Sequence, residues 1–301
     1  MNELRPTKLA DILGQLQVRE ALDISICSAK HRRDCLEHTL FYGPPGTGKT
    51  TLANAIANDM ETSIQVANGA NLRSIKSIVP YIMRIESHGI LFIDEIHRMT
   101  KIVEEFLYPI VEDFKVDMSI GADKGDGEVI SIDIPKFTLM GATTEFGSLS
   151  KPLIDRFKHK YTLKLYNKVD LLKIINSNTQ KLELSMTEKA AEKIATMSRG
   201  TPRIANSNLE WLRDYQIAKK ISTLSEKDIK DAMGLKGIDH EGLTEMDRKY
   251  LNILQNSPEP LGIETLCSLS NIDRNTVENI IEPLLLQRSK IAKTPKGRVA
   301  I

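Results

Sequence analysis

An α/β fold is predicted: a parallel sheet carrying a phosphate loop, then a small helical domain, then a winged helix. Three observations carry this. A glycine-rich stretch, Gly43 to Thr50, lies between a short apolar run and a helical one. A second apolar run, Ile90-Leu91-Phe92-Ile93, ends in Asp94-Glu95. From Lys168 onward the apolar spacing becomes three and four, and stays so almost to the end of the 301 residues. The expected division is 1–167 for the nucleotide-binding part, with a ribbon inserted near 115–135, then 168–236 helical and 237–301 winged-helix.

Gly43-Pro44-Pro45-Gly46-Thr47-Gly48-Lys49-Thr50 has glycine, four residues, then Gly-Lys-Thr, the spacing of a phosphate-binding loop. Glycines let the backbone curl so that successive N–H groups face phosphate oxygens. Lys49 can reach the β- and γ-phosphates, and Thr50 can offer its hydroxyl to Mg²⁺. His38-Thr39-Leu40-Phe41-Tyr42 reads as the strand before the loop. Thr51 to Ala57 reads as the helix after it, its N-terminus facing the anion. Asp94 then sits where it can hold Mg²⁺ through water, and Glu95 where it can deprotonate the attacking water. Two acids after a strand are, taken alone, a solvated strand end; the phosphate loop makes them catalytic candidates.

Taken in order, a helix is expected from about Gln15 to Lys30, with Val18, Leu22 and Ile26 four apart. Ser63-Ile64-Gln65-Val66 is a second strand, and Ile75 to Glu86 a helix. His97, in Asp94-Glu95-Ile96-His97, is either a structural histidine or a support for the acids. Val116, Met118 and Ile120, then Ile130, Ile132 and Ile134, alternate with polar residues around a glycine-rich tip, as in a β-hairpin. It is either a surface ribbon or a docking ribbon. Phe137 to Thr144 is a strand ending in hydroxyls, and Thr143 or Thr144 can sense the γ-phosphate. Arg156 can complete a neighbour's site or pair with Asp155. Tyr161 to Leu165 reads as the last strand of this part.

Helices are expected over Val169–Leu182, Thr187–Met197 and Ile204–Lys219. Pro202 can start the third, which places Arg203 in its first turn. A helix N-terminus favours anions, so an arginine there points to a ligand. Gly234 to Leu243 reads as a linker, followed by helices near Glu245–Asn256, Ile263–Ser270 and Asn275–Leu286. From Arg288 to the end there are five basic residues and no acidic one. That is either a solvated tail or a wing whose Lys293, Lys296 and Arg298 meet DNA phosphates.

Composition sets bounds. Apolar residues make up 41% and charged residues 27%, enough for a core in a soluble chain. A net charge of +1 leaves any nucleic-acid surface to a local patch. The three cysteines are odd in number and scattered, as reduced thiols are. No apolar leader stands at Met1–Arg5 and no run approaches a membrane span. A cytoplasmic protein with no membrane partner is expected.

Together these residues resemble the RuvB family of AAA+ ATPases, hexameric motors that drive branch migration of Holliday junctions. The likeness runs from Leu4 to Arg298. Its specific pieces are Gly43 to Gly46, Leu91 to Arg98, Glu104 to Pro109, Gly141 to Thr144, Arg199 to Asn206 and Thr294 to Arg298. It implies ATP and Mg²⁺ as cofactors. Gly43, Pro44, Pro45, Gly46, Thr47, Gly48, Lys49, Thr50 and Thr51 would hold phosphate. Thr50 and Asp94 would hold metal, and Glu95 would activate water. Thr143 or Thr144 looks like the first sensor, Arg156 like the finger acting in a neighbouring subunit, and Arg203, after Pro202, like the second sensor. Leu4, Arg5, Ile12 and Tyr166 sit where the family lines its adenine pocket. The implied partners are DNA bound with little sequence preference, five further copies of the chain, and a RuvA-like protein docked by the 116–134 hairpin.

The chain departs from that pattern. Glu145 and Ile154 stand where the family usually has Arg, and Glu128-Val129 follow the hairpin tip without the usual basic residue. The family's common N-terminal extension is not expected here. The nucleotide site is untouched by these changes; they fall on subunit-interface and docking chemistry. The alternative function is a AAA+ loader that places a clamp or helicase on DNA without translocating. Asp155-Arg156-Phe157, in place of the loaders' Ser-Arg-Cys, favours the motor. A regulator that uses ATP only to assemble is a third reading, against which an intact Asp94-Glu95 pair argues.

Overall fold

The computed structural model describes residues 4–120 and 128–301. It divides into two compact units, one of residues 1–170 with 201–203, the other of 171–200 with 204–301.

The first unit is built on a five-stranded sheet: β1 Thr39–Tyr42, β2 Ile64–Asn68, β3 Ile90–Asp94, β6 Thr138–Thr143 and β7 His159–Thr162. Their order is β2-β3-β6-β1-β7, and every pairing is parallel. Parallel strands covered on both faces carry near-continuous apolar runs. Accordingly Leu40, Phe41, Leu91, Phe92, Ile93, Leu139 and Met140 are fully buried. One face packs on α1 Leu16–Arg32 and α2 Lys49–Asp59 through Leu22, Ile26, Leu52 and Ile56. The other packs on α3 Ile75–Ile82 and α4 Lys101–Asp113 through Ile78, Ile82, Val103 and Leu107.

Two expectations move. The third helix stops at Ile82 rather than near Glu86, because the chain must turn to enter β3. The Ile85 N–H bonds to the Ile82 carbonyl and that of Gly89 to Glu86. The last strand runs His159–Thr162, two residues ahead of the expected start, in register with β1 from Thr39. Ile154 packs against the core from α5 Lys151–Arg156.

The ribbon forms as β4 Lys115–Ile120 and β5 Glu128–Asp133, antiparallel, with Val116 opposite Ile132 and Met118 opposite Ile130. Its base is anchored: Val116 and Ile134 are buried in the core of this unit, while Ile130 is exposed. The glycine-rich tip lies outside the described residues.

The second unit is helical except for one hairpin. Its helices are α6 Lys168–Lys181, which begins in the first unit, α7 Glu188–Met197, α8 Pro202–Lys219, α9 Glu226–Leu235, α10 Glu245–Gln255 and α11 Ile263–Ser270. Next come α12 Arg274–Thr276, a π turn Val277–Ile281 and α13 Glu282–Gln287. Thr187, Ser225 and Thr244 cap α7, α9 and α10 by accepting the backbone N–H three residues on, satisfying donors that a helix start leaves open. Helix α9 was not expected. Its signal was present in Ser225 and Asp228, a capping box before Ile229 and Ala232. It takes up Gly234 and Leu235, so the expected linker begins later.

The hairpin is β8 Ile291–Thr294 and β9 Gly297–Ala300. Arg298 exchanges both backbone hydrogen bonds with Leu261, which adds a third strand position. Gly297 has φ 139°, and a Cβ there would fall 2.5 Å from the Leu261 carbonyl oxygen. No helix among the described residues is long and apolar enough to cross a membrane.

Candidate nucleotide site

The site gathers at the C-terminal ends of β1, β3 and β6, where the strand order places β1 between two later strands. Ligands of open α/β sheets bind at such a switch. Gly43 leaves β1 with φ 141°, donating its N–H to the Thr143 carbonyl. A Cβ at Gly43 would fall 2.1 Å from the Leu163 carbonyl oxygen, so only glycine fits. Gly46 and Gly48 hold φ 77° and 105°, turning the loop into α2. No acidic residue stands in the first turn of α2, which leaves its positive dipole end for an anion. Thr47 is buried and donates its hydroxyl to the Pro44 carbonyl, so it braces the loop. Pro44 and Pro45 are exposed, and Thr51 faces half outward.

Lys49 is buried, and its ammonium donates to the Gly43 and Pro44 carbonyls at 2.8 and 3.0 Å. Burial holds its pKa below the ordinary lysine value, against the Glu95 and Asp94 carboxylates, which raise it. The charge of Arg203 lowers it further. Arg203 is exposed at the start of α8; a Cβ on Gly46 would meet the Cβ atoms of Arg203 and Thr201 at 3.3 Å each. The start of α8 thus borders the loop within this unit.

Asp94 and Thr50 meet directly: the hydroxyl donates to Oδ2 at 3.0 Å. The other Asp94 oxygen accepts the Glu95 N–H at 3.0 Å. Glu95 sits in the left-handed region, φ 47°, which turns its side chain away from the line of β3. Its Oε2 accepts the Thr144 hydroxyl at 3.0 Å and lies 3.3 Å from His97 Nδ1. Thr143, by contrast, is buried, 2.9 Å from His97 Nδ1, and accepts the Glu145 N–H. Glu145 reaches the far side of the same ring, 3.7 Å from Nε2. The two threonines left open by sequence are therefore distinct: Thr144 touches Glu95, and Thr143 holds His97.

The residues fit the groups the motif implies. Thr50 and Asp94 offer two hard oxygen atoms side by side, the ligand type magnesium selects. The curled loop, the lysine and the free helix end fit a polyphosphate. On the base side, Tyr166 is buried, its hydroxyl 3.9 Å from where a Gly48 Cβ would stand and its ring against Gly14. Burial pushes its phenol up to about 12. Leu4 and Ile12 are buried as well, and Arg5 is exposed.

Arg156 lies apart, at the end of α5. Its guanidinium stacks on Tyr108, the carbon 3.8 Å from the ring centroid, and it pairs with Glu112 at 3.0 Å rather than with Asp155. In the other unit, the wing residues meet an acid that sequence reading passed over. Glu282 is fully buried; Arg298 Nε lies 2.7 Å from its Oε1 and Lys293 Nζ 2.6 Å from its Oε2. Tyr250 donates its hydroxyl to the same carboxylate at 2.8 Å. Burial opposes ionisation of Glu282, but bonds from Arg298, Lys293 and Tyr250 outweigh it and hold the carboxyl below its usual range. Lys290 pairs with Glu241, and Arg288 donates to the Glu241 and Thr196 carbonyls. Lys296 is exposed in the turn.

The chain matches known proteins over its length. Residues 4–163 match the family model described as the Holliday junction DNA helicase RuvB P-loop domain. Residues 166–239 match the RuvB AAA lid domain and 240–300 the RuvB C-terminal winged helix domain. The Holliday junction branch migration complex subunit RuvB of Campylobacter hominis is 42% identical over 297 residues, 98% of this chain and 87% of the relative. The structure of the Thermotoga maritima RuvB Holliday junction branch migration motor superposes with a TM-score of 0.86 at 37% identity, covering 99% of this chain and 96% of that one. A point mutant of the same protein gives 0.88 at 37% identity over 99% and 96%. A phosphate loop facing Asp94 and Glu95, a helical segment opening on Arg203 and a winged helix closing the chain occur here in that family's order, and the chain belongs to the RuvB family.

Proposed function

We propose that this protein is an ATP-driven motor that promotes branch migration of Holliday junctions in recombination and repair. The observation that supports it best is the opposition of Lys49 and Thr50 to Asp94 and Glu95 in one site. A loop that only held nucleotide would not need Glu95, a carboxylate placed to take a proton from water, beside the Thr50–Asp94 pair. Lys49 would leave the Gly43 and Pro44 carbonyls to bind β- and γ-phosphate. Thr50 and Asp94 would hold Mg²⁺, which when bound neutralises developing charge on the phosphoryl oxygens. Glu95 takes the proton of the attacking water, and Thr144 orients Glu95. Thr143 keeps His97 in place behind it. Arg203 senses the nucleotide from α8, and Leu4, Arg5, Ile12 and Tyr166 enclose the base.

The division into 1–167, 168–236 and 237–301 belongs to the same proposal, as do the hexamer, the cytoplasmic location and Arg156 acting in the next subunit. A RuvA-like partner would seat on the 116–134 ribbon. DNA would meet the wing through phosphate, with little sequence preference. Membership of the RuvB family favours this reading over a clamp or helicase loader.

The test is ATP-dependent branch migration of a synthetic four-way junction, with and without a RuvA-type protein. Dissociation of the junction that requires ATP and Glu95 supports the motor. ATP hydrolysis with no movement of the junction in either condition refutes it.

A further inference from the structure

Arg156 is held by its own subunit in a particular way. It ends α5, and α4 presents Tyr108 and Glu112 to it from one face, one helical turn apart. The Tyr108 ring lies under the guanidinium, its centroid 3.8 Å from the guanidinium carbon. The terminal nitrogens reach the Glu112 carboxylate at 3.0 Å and the Pro152 carbonyl at 2.8 Å. Nε is buried with no hydrogen-bond partner among the described residues. The ring itself is fixed: its hydroxyl donates to Glu104 at 2.5 Å and lies 3.3 Å from the Ser150 hydroxyl. Ser150 also donates to Glu104, and its oxygen caps α5 by accepting the Leu153 N–H. One carboxylate therefore ties down both the start of the helix that carries Arg156 and the ring under its side chain.

We propose that Tyr108 is a positioning residue for Arg156. The proposal rests on the reading of Arg156 as the finger that acts on a neighbour's nucleotide. An arginine side chain has many rotamers, and a group that must meet a phosphoryl oxygen gains from having few. Stacking on an aromatic face fixes the guanidinium plane and uses none of its N–H donors. Glu112 is more than half exposed, and such a pair is weak in water. The stacked face therefore supplies the orientation, and the weak Glu112 contact is the one a phosphate would replace.

The experiment is steady-state ATP turnover by the assembled full chain for Tyr108→Leu, Tyr108→Phe, Arg156→Ala and the double variant Tyr108→Leu with Arg156→Ala. Tyr108→Leu should lower kcat roughly 10- to 100-fold, the cost of a small misplacement, with KM for ATP changed less than about twofold. Tyr108→Phe keeps the face and should stay within about threefold of the parent. In the Arg156→Ala background Tyr108→Leu should cost nothing more, because its effect passes through the side chain already removed. A further loss of the same size in the double variant overturns the positioning role, as does a Phe variant as poor as Leu. Arg156→Ala turning over ATP at the parent rate would instead remove the finger reading itself.

Discussion

The Thr144 hydroxyl donates to Glu95 Oε2 at 3.0 Å, and Thr143, one residue earlier, faces His97 instead. Thr143 closes β6 and Thr144 follows it, and the two side chains part, one to the ring and the other to the acid. Glu95→Gln should keep nucleotide binding and lose hydrolysis by about 10²-fold or more, the range of a general base. Thr144→Val should weaken hydrolysis less, and Lys49→Ala should abolish binding. Fluorescent-nucleotide titration beside phosphate release separates these. A Glu95→Gln protein hydrolysing ATP at the parent rate would refute its role.

On the wing, Lys296 and the two cations that meet Glu282 should behave differently. Lys296→Ala should lower the magnitude of the salt slope of duplex binding by about 0.9, one phosphate contact, and weaken all sequences alike. Arg298→Ala should instead strip the buried Glu282 of a partner and cost about 3 kcal/mol of folding stability, read as a lower unfolding midpoint. Equal salt slopes for Lys296→Ala and parent on several duplexes would exclude Lys296 as a contact.

The ribbon's base is core, at Val116 and Ile134, and Ile130 along β5 is exposed. Deleting residues 122–128 should therefore leave basal ATPase within about twofold and abolish stimulation by a RuvA-type protein. Basal activity lost together with the folded signal in circular dichroism would show that the ribbon serves the fold.

His38 supplies a pH dependence. Its Nδ1 accepts the Leu139 N–H at 2.9 Å and its Nε2 lies 3.0 Å from the Val111 carbonyl oxygen, joining the ends of α4 and β6. Burial lowers its pKa below 6.5, although the Val111 carbonyl and the Glu37 charge work the other way. The unfolded chain therefore binds a proton near pH 6.5 that the folded chain refuses. Stability is full above that pH and falls as pH drops toward the folded pKa. Urea midpoints should decline more between pH 7 and 5.5 for the parent than for His38→Gln. Parallel declines would assign the effect to other groups.

By itself the sequence determined the parts that local rules govern. Gly43 to Thr50 needs only its own spacing to be a phosphate loop, and Ile90 to Ile93 needs only its apolarity to be a buried parallel strand. Most helices with caps and periodic apolar faces lie within a residue or two of where pattern places them, but α3 ends four residues early, and α9 was not expected although its capping box was there to read. Tertiary structure decided which side chains meet. Thr143 and Thr144 carry the same chemistry, and only the fold sends the last residue of β6 to His97 and the next one to Glu95. Glu282 lies within the expected Asn275–Leu286 helix with nothing in the sequence to single it out, yet it is buried beneath Tyr250, Lys293 and Arg298. Charges close in space but far apart in sequence leave no periodic signal, so a run of basic residues shows charge and not its partners. The same reason hid Tyr108 beneath Arg156: the two lie 48 positions apart in the numbering, and only the packing of α4 on α5 brings the ring under the guanidinium.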